Sequence, residues 1–418
     1  MCIRDRCSPD LDGQTVTVEA SENGGSADVL NLGLANERTN QFRPGLLKEV
    51  FDAGNAFAAW CNEAGGIGGL ELNMVDIDGK GIDVASAMVT ACEQTFGLVA
   101  GGFVQDNLVF TDDPTSDFHG CGLIAFPAFA ASPEFSGANG VVQNIPNVTG
   151  DRSTASLETI QREWPDEMEN FLIVYPDLPS LEPQTRQIEA TAATLDGVSV
   201  LDSISYDALG STDWNIVAQN VVSSGATAVQ FVGEPTNIGL LHGKLQEQNW
   251  DGVFFADANL YDELSITSAG PEAVEGVLIA SVIGNYTSPE DGSAAAQMAD
   301  ILDTYGPNDA KLAAFTAQSF SAFALFVQSA NECAAANDYV LTRQCVVEAG
   351  LEVDEWDGGG LHAPTEPGTP LTNTCVVLIA IRNGEFEVTL PEPDEDEDYL
   401  CFDPGHVEVD GDFGEGVV

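Results

Sequence analysis

The chain has 418 residues, 44% of them hydrophobic, with 42 Gly and 20 Pro; at about 100–200 residues per domain this is too much for one ordinary domain and makes two the default. Sixty-seven Asp and Glu against thirteen Lys and Arg leave a formal net charge of −54, a field that repels phosphate backbones and anionic lipid head groups and so excludes nucleic acid as a partner. Such acidity suits a protein bathed in salt, where a Debye length of about 8 Å or less screens self-repulsion; a saline habitat is the expectation.

Residues 1–6 (MCIRDR) read as a translated sequencing-adapter remnant, so 1–27 is treated as an N-terminal extension and a signal sequence is expected to be missing from this chain. Cys7 then stands either as a lipoprotein cysteine, although no lipobox precedes it, or as an ordinary cysteine near a ragged end. No run approaches the roughly 20 apolar residues of a membrane span. Residues 28–34 (DVLNLGL) predict a buried strand, and Pro44 predicts the start of a helix carrying Leu47, Val50, Phe51, Phe57 and Cys61 at helical spacing, stopped by Gly65 and Gly66. A strand over 70–76, a helix over 84–96 and strands over 98–101 and 122–126 follow. The rhythm restarts with strands over 171–175, 198–201, 227–232 and 253–256, each followed by a helical segment. Strand and helix in alternation mean parallel sheets flanked by helices.

The apolar run 276–283 and the helix 311–332 are expected to return to the first lobe. The divisions are therefore 28–148 with 276–350 as the first lobe and 149–275 with 351–390 as the second. Residues 391–418 hold eleven acids and no Lys or Arg, which predicts a solvated acidic tail.

Residues 62–78 (NEAGGIGGLELNMVDID) resemble the N-x-x-G-G-I-x-G-x-x-[IL]-x-[LV] stretch of branched-chain amino-acid binding proteins. Gly101-Gly102 is similar to that family's glycine turn, 126–135 (FPAFAASPEF) to its S-P-A-A-T-x-P-E-L loop, and 269–280 to its A-G-x-x-x-E-G return. The resemblance spans about residues 28–390 and implies the type I periplasmic-binding fold: an α/β protein of two Rossmann-like lobes joined by a multi-crossing hinge. It also implies a function, that of an extracytoplasmic solute-binding protein for an amino acid or a related small amide or amine. Such a protein hands its ligand to ABC transporter membrane subunits by hinge closure, is located in the periplasm or at the cell surface, free or lipid-anchored, and is expected to act as a monomer. The alternative with the same clamp is a ligand-sensing receptor or a regulatory amide-binding domain.

Ligands of open parallel sheets bind beyond the carboxyl ends of the strands. In the first lobe those ends bring up the loop 35–42, Gln105 and Asp106, and Ala128, Phe129 and Ala130, whose backbone N–H groups suit a carboxylate. In the second lobe three strands run into an acid: Tyr175-Pro176-Asp177, Val232-Gly233-Glu234 and Phe255-Ala256-Asp257. An acid at that rim pairs with an ammonium group, and the resemblance places Asp257 near the residue that takes the ligand's amine. Two departures stand out: Phe103-Val104-Gln105-Asp106 replaces the family's Ser or Thr, and Phe129 with one extra residue occupies the middle of its loop. Phe129, Tyr175 and Tyr261 are equally suited to cap an apolar side chain.

Nine cysteines without metal-ligand spacing favour disulfides and an oxidising compartment. Cys333 with Cys345, and Cys375 with Cys401, are placed to close locally. In a sheet of order 2-1-3-4-5, right-handed crossovers bring Cys92 and Cys121 to the same face and pole, which predicts that they pair and leaves Cys61 alone or linked to Cys7. No HExxH, GxSxG or GxxxxGK[ST] motif occurs, and the four histidines are scattered, so no enzyme, cofactor or metal is expected; the Asp76-Ile77-Asp78-Gly79 segment reads as a strand end and turn. Carboxylate pairs suited to a hydrolase are the least favoured reading.

Overall fold

The computed structural model describes Cys7 and residues 14–148, 150–208, 212–368, 371–392 and 397–410. In chain order these form β1 (Thr17–Val18), β2 (Val29–Asn36), α1 (Lys48–Ala64), β3 (Glu71–Asp78), α2 (Val84–Gln94), β4 (Leu98–Val99), β5 (Ala125–Phe126) and α3 (Pro133–Ser136). Next come β6 (Asp151–Ser153), α4 (Ala155–Glu163), β7 (Phe171–Pro176), α5 (Glu182–Ala192), β8 (Ile204–Tyr206), α6 (Trp214–Ser224), β9 (Ala228–Phe231), α7 (Pro235–Glu247), β10 (Val253–Asp257), α8 (Glu263–Thr267) and β11 (Leu278–Ser281). The chain ends with α9 (Ala294–Tyr305), α10 (Ala314–Ala336), β12 (Val340–Leu341), α11 (Arg343–Leu351), β13 (Cys375–Arg382), β14 (Glu385–Leu390), β15 (Leu400–Cys401) and β16 (His406–Glu408).

Two compact units result. The first draws on Met1–Val148 and Ser288–Leu371, the second on Thr149–Thr287 and Thr372–Phe413. The sheet of the first unit is parallel with order β3-β2-β4-β5. Its first helix, α1, buries Val50, Ala53, Phe57 and Cys61, one face at helical spacing. Gly65 ends it at φ 116°, a left-handed conformation natural to glycine, and the Gly66 N–H donates to Cys61 O. Helix α10 is buried on nearly every side; its Phe320 and Phe323 rings meet Phe57 at 5.5 and 4.5 Å. The 23 residues of α10 thus form the central post of this unit.

The second unit holds an eight-stranded sheet of order β14-β13-β11-β10-β9-β7-β8, with β15 also paired to β13. Strands β7, β9, β10 and β11 are parallel, and their runs FLIV, AVQF, VFFA and LIAS are buried throughout. Such unbroken apolar runs mark strands covered by helices on both faces.

Several sequence expectations are corrected. The run 276–283 does not return to the first lobe: its strand β11 sits inside the second sheet, parallel to β10 and antiparallel to β13, because four fully buried residues in a row need ladder partners on both sides. The chain leaves this unit only after Thr287. Residues 351–371 belong to the first unit. There the Trp356 indole N–H donates to Ser321 Oγ at 2.9 Å, and His362 Nε2 lies 2.7 Å from the same hydroxyl on α10. The strand expected over 198–201 forms instead at β8, with only Val200 bridging Phe171. The acidic tail is in part structured: β15 adds to β13, and β16 pairs with β6 at the start of the second unit. Its stretches 393–396 and 411–418, like residues 1–6, lie outside the described residues.

The structure joins Cys92 to Cys121 with Cα atoms 5.6 Å apart, inside the limit of about 7 Å for a disulfide. Cys333 is joined to Cys345, Cys375 to Cys401 across the β13–β15 register, and Cys61 to Cys7. Beside the Cys92–Cys121 bridge, Arg343 is buried and serves as a staple. Its Nε donates to Phe96 O at 2.7 Å, Nη1 to Cys121 O and Gly122 O at 3.1 and 3.0 Å, and Nη2 to Thr95 O at 3.0 Å. Glu22 supplies the countercharge at 3.3 Å.

Candidate functional site

In the first unit the carboxyl ends of β2, β4 and β5 open into loops built around glycines. A Cβ on Gly101 would lie 2.2 Å from Ala35 O, and one on Gly102 would lie 2.7 Å from the Phe129 ring, so only glycine allows this approach. Ala128 is buried against Leu47 and Val50, and the half-buried Phe129 packs with Val104, Leu46 and Phe315 around them; the Phe129 and Phe315 rings are 4.6 Å apart. Gln105 Nε2 donates to Gly81 O at 2.7 Å, and Ala130 O accepts from Asn147 Nδ2 at 2.9 Å. Asp106 is buried, and both its oxygens accept backbone N–H groups, from Ala131 at 2.6 Å and Ser132 at 2.9 Å. Burial pushes its carboxyl up to about 7, against the pull of the Ser132 and Ala131 bonds. Asp106 therefore ties the 103–109 segment to the 128–132 loop and has its acceptors committed to that task.

Glu37, one residue beyond β2, lies in the loop 35–42 that the sequence placed at the rim, although the residue itself was not singled out there. Its side chain is 1% exposed. It accepts the Val104 N–H, while its Oε1 is sealed from solvent with no hydrogen-bond partner. Burial pushes this carboxyl up to about 7; the Val104 bond opposes the rise, and the charges of Asp78 and Asp106 add to it. The available signal was the one applied to the second lobe, an acid directly after a buried strand.

In the second unit, Asp177, Glu234 and Asp257 follow β7, β9 and β10, which are neighbours in the sheet and parallel. All three thus come to one edge. They differ in setting. Asp177 is exposed, and its Oδ1 accepts the Ala208 N–H at 2.9 Å, bracing the loop after β8. Glu234 is half-buried at the position that opens α7 and does not cap it with its side chain. Asp257 is half-buried; Gln230 Nε2 on the adjacent strand donates to its Oδ2 at 2.9 Å. Burial pushes Asp257 up to about 6, opposed by the Arg152 charge and the Gln230 bond. Arg152 and Gln230 belong with Asp257 and were not foreseen, because the partnership depends on which strands become neighbours.

The aromatic candidates part company. Tyr175 is half-buried against the core of its own unit. Tyr261 is 1% exposed and locked among Tyr286 and Phe386, with its hydroxyl 3.2 Å from Thr287 Oγ1; its ring is core, so of the three rings suited to cap an apolar side chain this one is buried in its own unit. Among the described residues no group of three His, Cys, Asp or Glu is placed to hold a metal ion, and no helix is long and apolar enough to cross a membrane.

A family model described as periplasmic binding protein matches residues 143–384, more than half of the chain. An amino acid binding protein of Pseudomonas aeruginosa is 34% identical over 94 residues, which cover 22% of this chain and only 25% of that protein. Among solved structures, a fatty acid ABC transporter substrate-binding protein from Thermomonospora curvata superposes with a TM-score of 0.71 at 17% identity, over 93% of this chain and 96% of its own. A leucine binding protein from Thermotoga maritima gives 0.68 at 14% identity, over 90% and 100%. At these identities the structural likeness speaks for the fold, which is the type I periplasmic-binding fold. With the sequence match across residues 143–384, the chain belongs to the periplasmic binding protein family.

Proposed function

We propose that this chain is an extracytoplasmic solute-binding protein that captures an amino acid or a related small amide or amine and delivers it, by hinge closure, to the membrane subunits of an ABC importer. Similarity to an amino acid binding protein and a leucine binding protein supports the ligand class; the fatty acid binding neighbour keeps carboxylates in the comparison. The observation that carries the reading is Asp257, an acid held half-buried at the carboxyl end of a parallel strand. An ammonium or amide N–H approaching it replaces lost hydration with a charge-assisted hydrogen bond, about twice as strong as a neutral one.

The test is a thermal-shift screen of the purified chain in high salt against amino acids, amides, urea, polyamines, short peptides, fatty acids and aromatic acids. A ligand at 100 times its Kd adds about 2.7 kcal/mol to stability. One responding class, recovered chemically unchanged and weakened at least tenfold by Asp257→Asn, is the expected result. Silence across the panel, or conversion of the responding compound, overturns the proposal; a response confined to carboxylates removes the amine from it.

A further inference from the structure

We infer that Glu37 is the specificity-determining acceptor of the first unit, which takes an N–H-bearing head group, amide or ammonium, and refuses a free carboxylate at that rim. This rests on the solute-binding reading above and names the ligand chemistry of one half of it.

Position is the first support. Glu37 stands where β2 ends, bridges Leu46 through its backbone, and bonds through its side chain to Val104 N–H. Leu46 and Val104 are both members of the apolar group that contains Leu47, Val50, Ala128, Phe129 and Phe315. The carboxyl thus adjoins an apolar wall at the sheet's carboxyl end, where open α/β sheets hold ligands.

Spare bonding capacity is the second. A buried acceptor without a donor is costly and calls for an explanation, and Glu37 Oε1 is such an acceptor. The neighbouring acids have none to offer. Asp106 is committed to Ala131 and Ser132. Asp78 accepts from Lys80 N–H at 2.9 Å, Thr39 N–H at 3.2 Å and Arg38 Nη1 at 3.4 Å. An incoming N–H completes Glu37; an incoming carboxylate meets three acids, Glu37, Asp78 and Asp106, and no hydroxyl along 103–106.

Two matched pairs test this: leucinamide against leucine, and benzamide against benzoate, titrated calorimetrically near pH 8, where most of a carboxyl with a pKa of about 7 is ionised. Each amide is expected to bind the wild-type chain at least tenfold tighter than its acid, the scale of one charge-assisted hydrogen bond. Glu37→Gln keeps an acceptor for the Val104 N–H and puts an NH2 where Oε1 stood. It is expected to narrow the amide-to-acid ratio at least tenfold by weakening the amides and strengthening the acids. A structural role alone would lower the melting temperature and leave that ratio as it was.

Acids binding as well as amides to the wild type, a ratio untouched by the variant, or no binding of either amide overturns the inference. Should the variant fail to fold, the two wild-type ratios decide. If both pairs fail while another compound in the screen raises the melting temperature, the solute-binding reading stands and the role of Glu37 falls; if nothing binds, both fall.

Discussion

The two units carry their rims in different ways. In the second, β7, β9, β10, β11 and β13 are four to eight residues long and buried almost throughout, so the ladder itself fixes where Asp257 and Gln230 stand. In the first, β4 and β5 are two residues each, and the rim is carried by the loops 100–124 and 127–132. At the rim Asp106 ties these loops together through Ala131 and Ser132, while at the other end of the sheet Arg343, bonded to four carbonyls, and the Cys92–Cys121 bridge hold the segments that lead into β4 and β5. A unit built on long buried strands tolerates the loss of any one side chain better than a unit built on staples. The second unit is therefore expected to answer mainly to core mutations, and the first to the staples.

Arg343→Met is the largest test of that difference. It leaves four buried carbonyls without their donor, and removal of one partner from such a buried charged network costs about 3–5 kcal/mol. Arg382→Met is the counterpart in the second unit; its pairing with Glu387 at 3.1 Å is exposed, and such pairs contribute about 0–1 kcal/mol. Hydrogen exchange read peptide by peptide should show Arg343→Met loosening 95–124 while β7, β9 and β10 keep their protection. Equal loss in both units would mean that they unfold as one and that the distinction is false.

Replacing Cys92 and Cys121 together by Ser comes next. The bridge closes a separation of 29 residues, for which the chain-entropy account gives about 3–4 kcal/mol. The same account assigns nearly as much to Cys375–Cys401, with a separation of 26. That bridge, however, joins strands already paired in register, so its loss is expected to cost less than loss of Cys92–Cys121, which joins α2 to the segment before β5; both bridges lie away from the rim loops that follow β4 and β5, so neither loss is expected to change ligand affinity. Melting temperatures and Kd values of both double variants decide the matter.

The sequence was most legible where structure is local. Alternating strand and helix, the glycine stop of α1 and the acids after β7, β9 and β10 could be read directly, because each depends on neighbours within one segment. What could not be read depends on which segments become neighbours. The run 276–283 has the same apolar content whether it joins one sheet or the other, and only its pairing with β10 and β13 decides. Phe129, Asp106 and Tyr261 carried the right chemistry for a site, yet the 128–132 loop and the Tyr261 cluster use Asp106 and Tyr261 to hold the fold. Glu37 could be placed in the rim loop 35–42, directly after a buried strand, but its burial beside Val104 depends on which loops become neighbours.

Acidity separates the units by pH. Glu37 and Asp106 in the first rise from 4.5 and 3.8 to about 7, and Asp257 in the second from 3.8 to about 6. A carboxyl whose folded pKa is raised binds its proton more tightly in the folded state. Its contribution to stability is present at low pH and is lost as pH climbs from the unfolded to the folded value. The first unit is thus expected to lose stability between about pH 4 and 7, the second between about pH 4 and 6. Asp257→Asn should remove the second slope, on the order of 3 kcal/mol at most from the size of the shift, and leave the first. Thermal melts at pH 4, 6 and 8 measure it; an unchanged slope in the variant would assign the loss to general charge repulsion.

The smallest effect is the sharpest. Ser132 Oγ accepts the Phe135 N–H at the start of α3, and the Ser132 hydroxyl also favours the ionised form of Asp106. Asp213 caps α6 in the second unit by accepting the Asn215 N–H at 3.0 Å. As helix caps the two are alike, and Ser132→Ala and Asp213→Ala should each cost about 1 kcal/mol. Without the Ser132 hydroxyl the ionised Asp106 is less favoured, so the cost of Ser132→Ala grows as pH rises through about 7, where Asp106 titrates, and Asp213→Ala at each pH supplies the cost of a lost cap for comparison. Urea midpoints of both variants at pH 6 and 8 compare them directly. A flat cost for Ser132→Ala would mean that its hydroxyl serves the helix alone and that the first rim is less a connected network than its hydrogen bonds indicate.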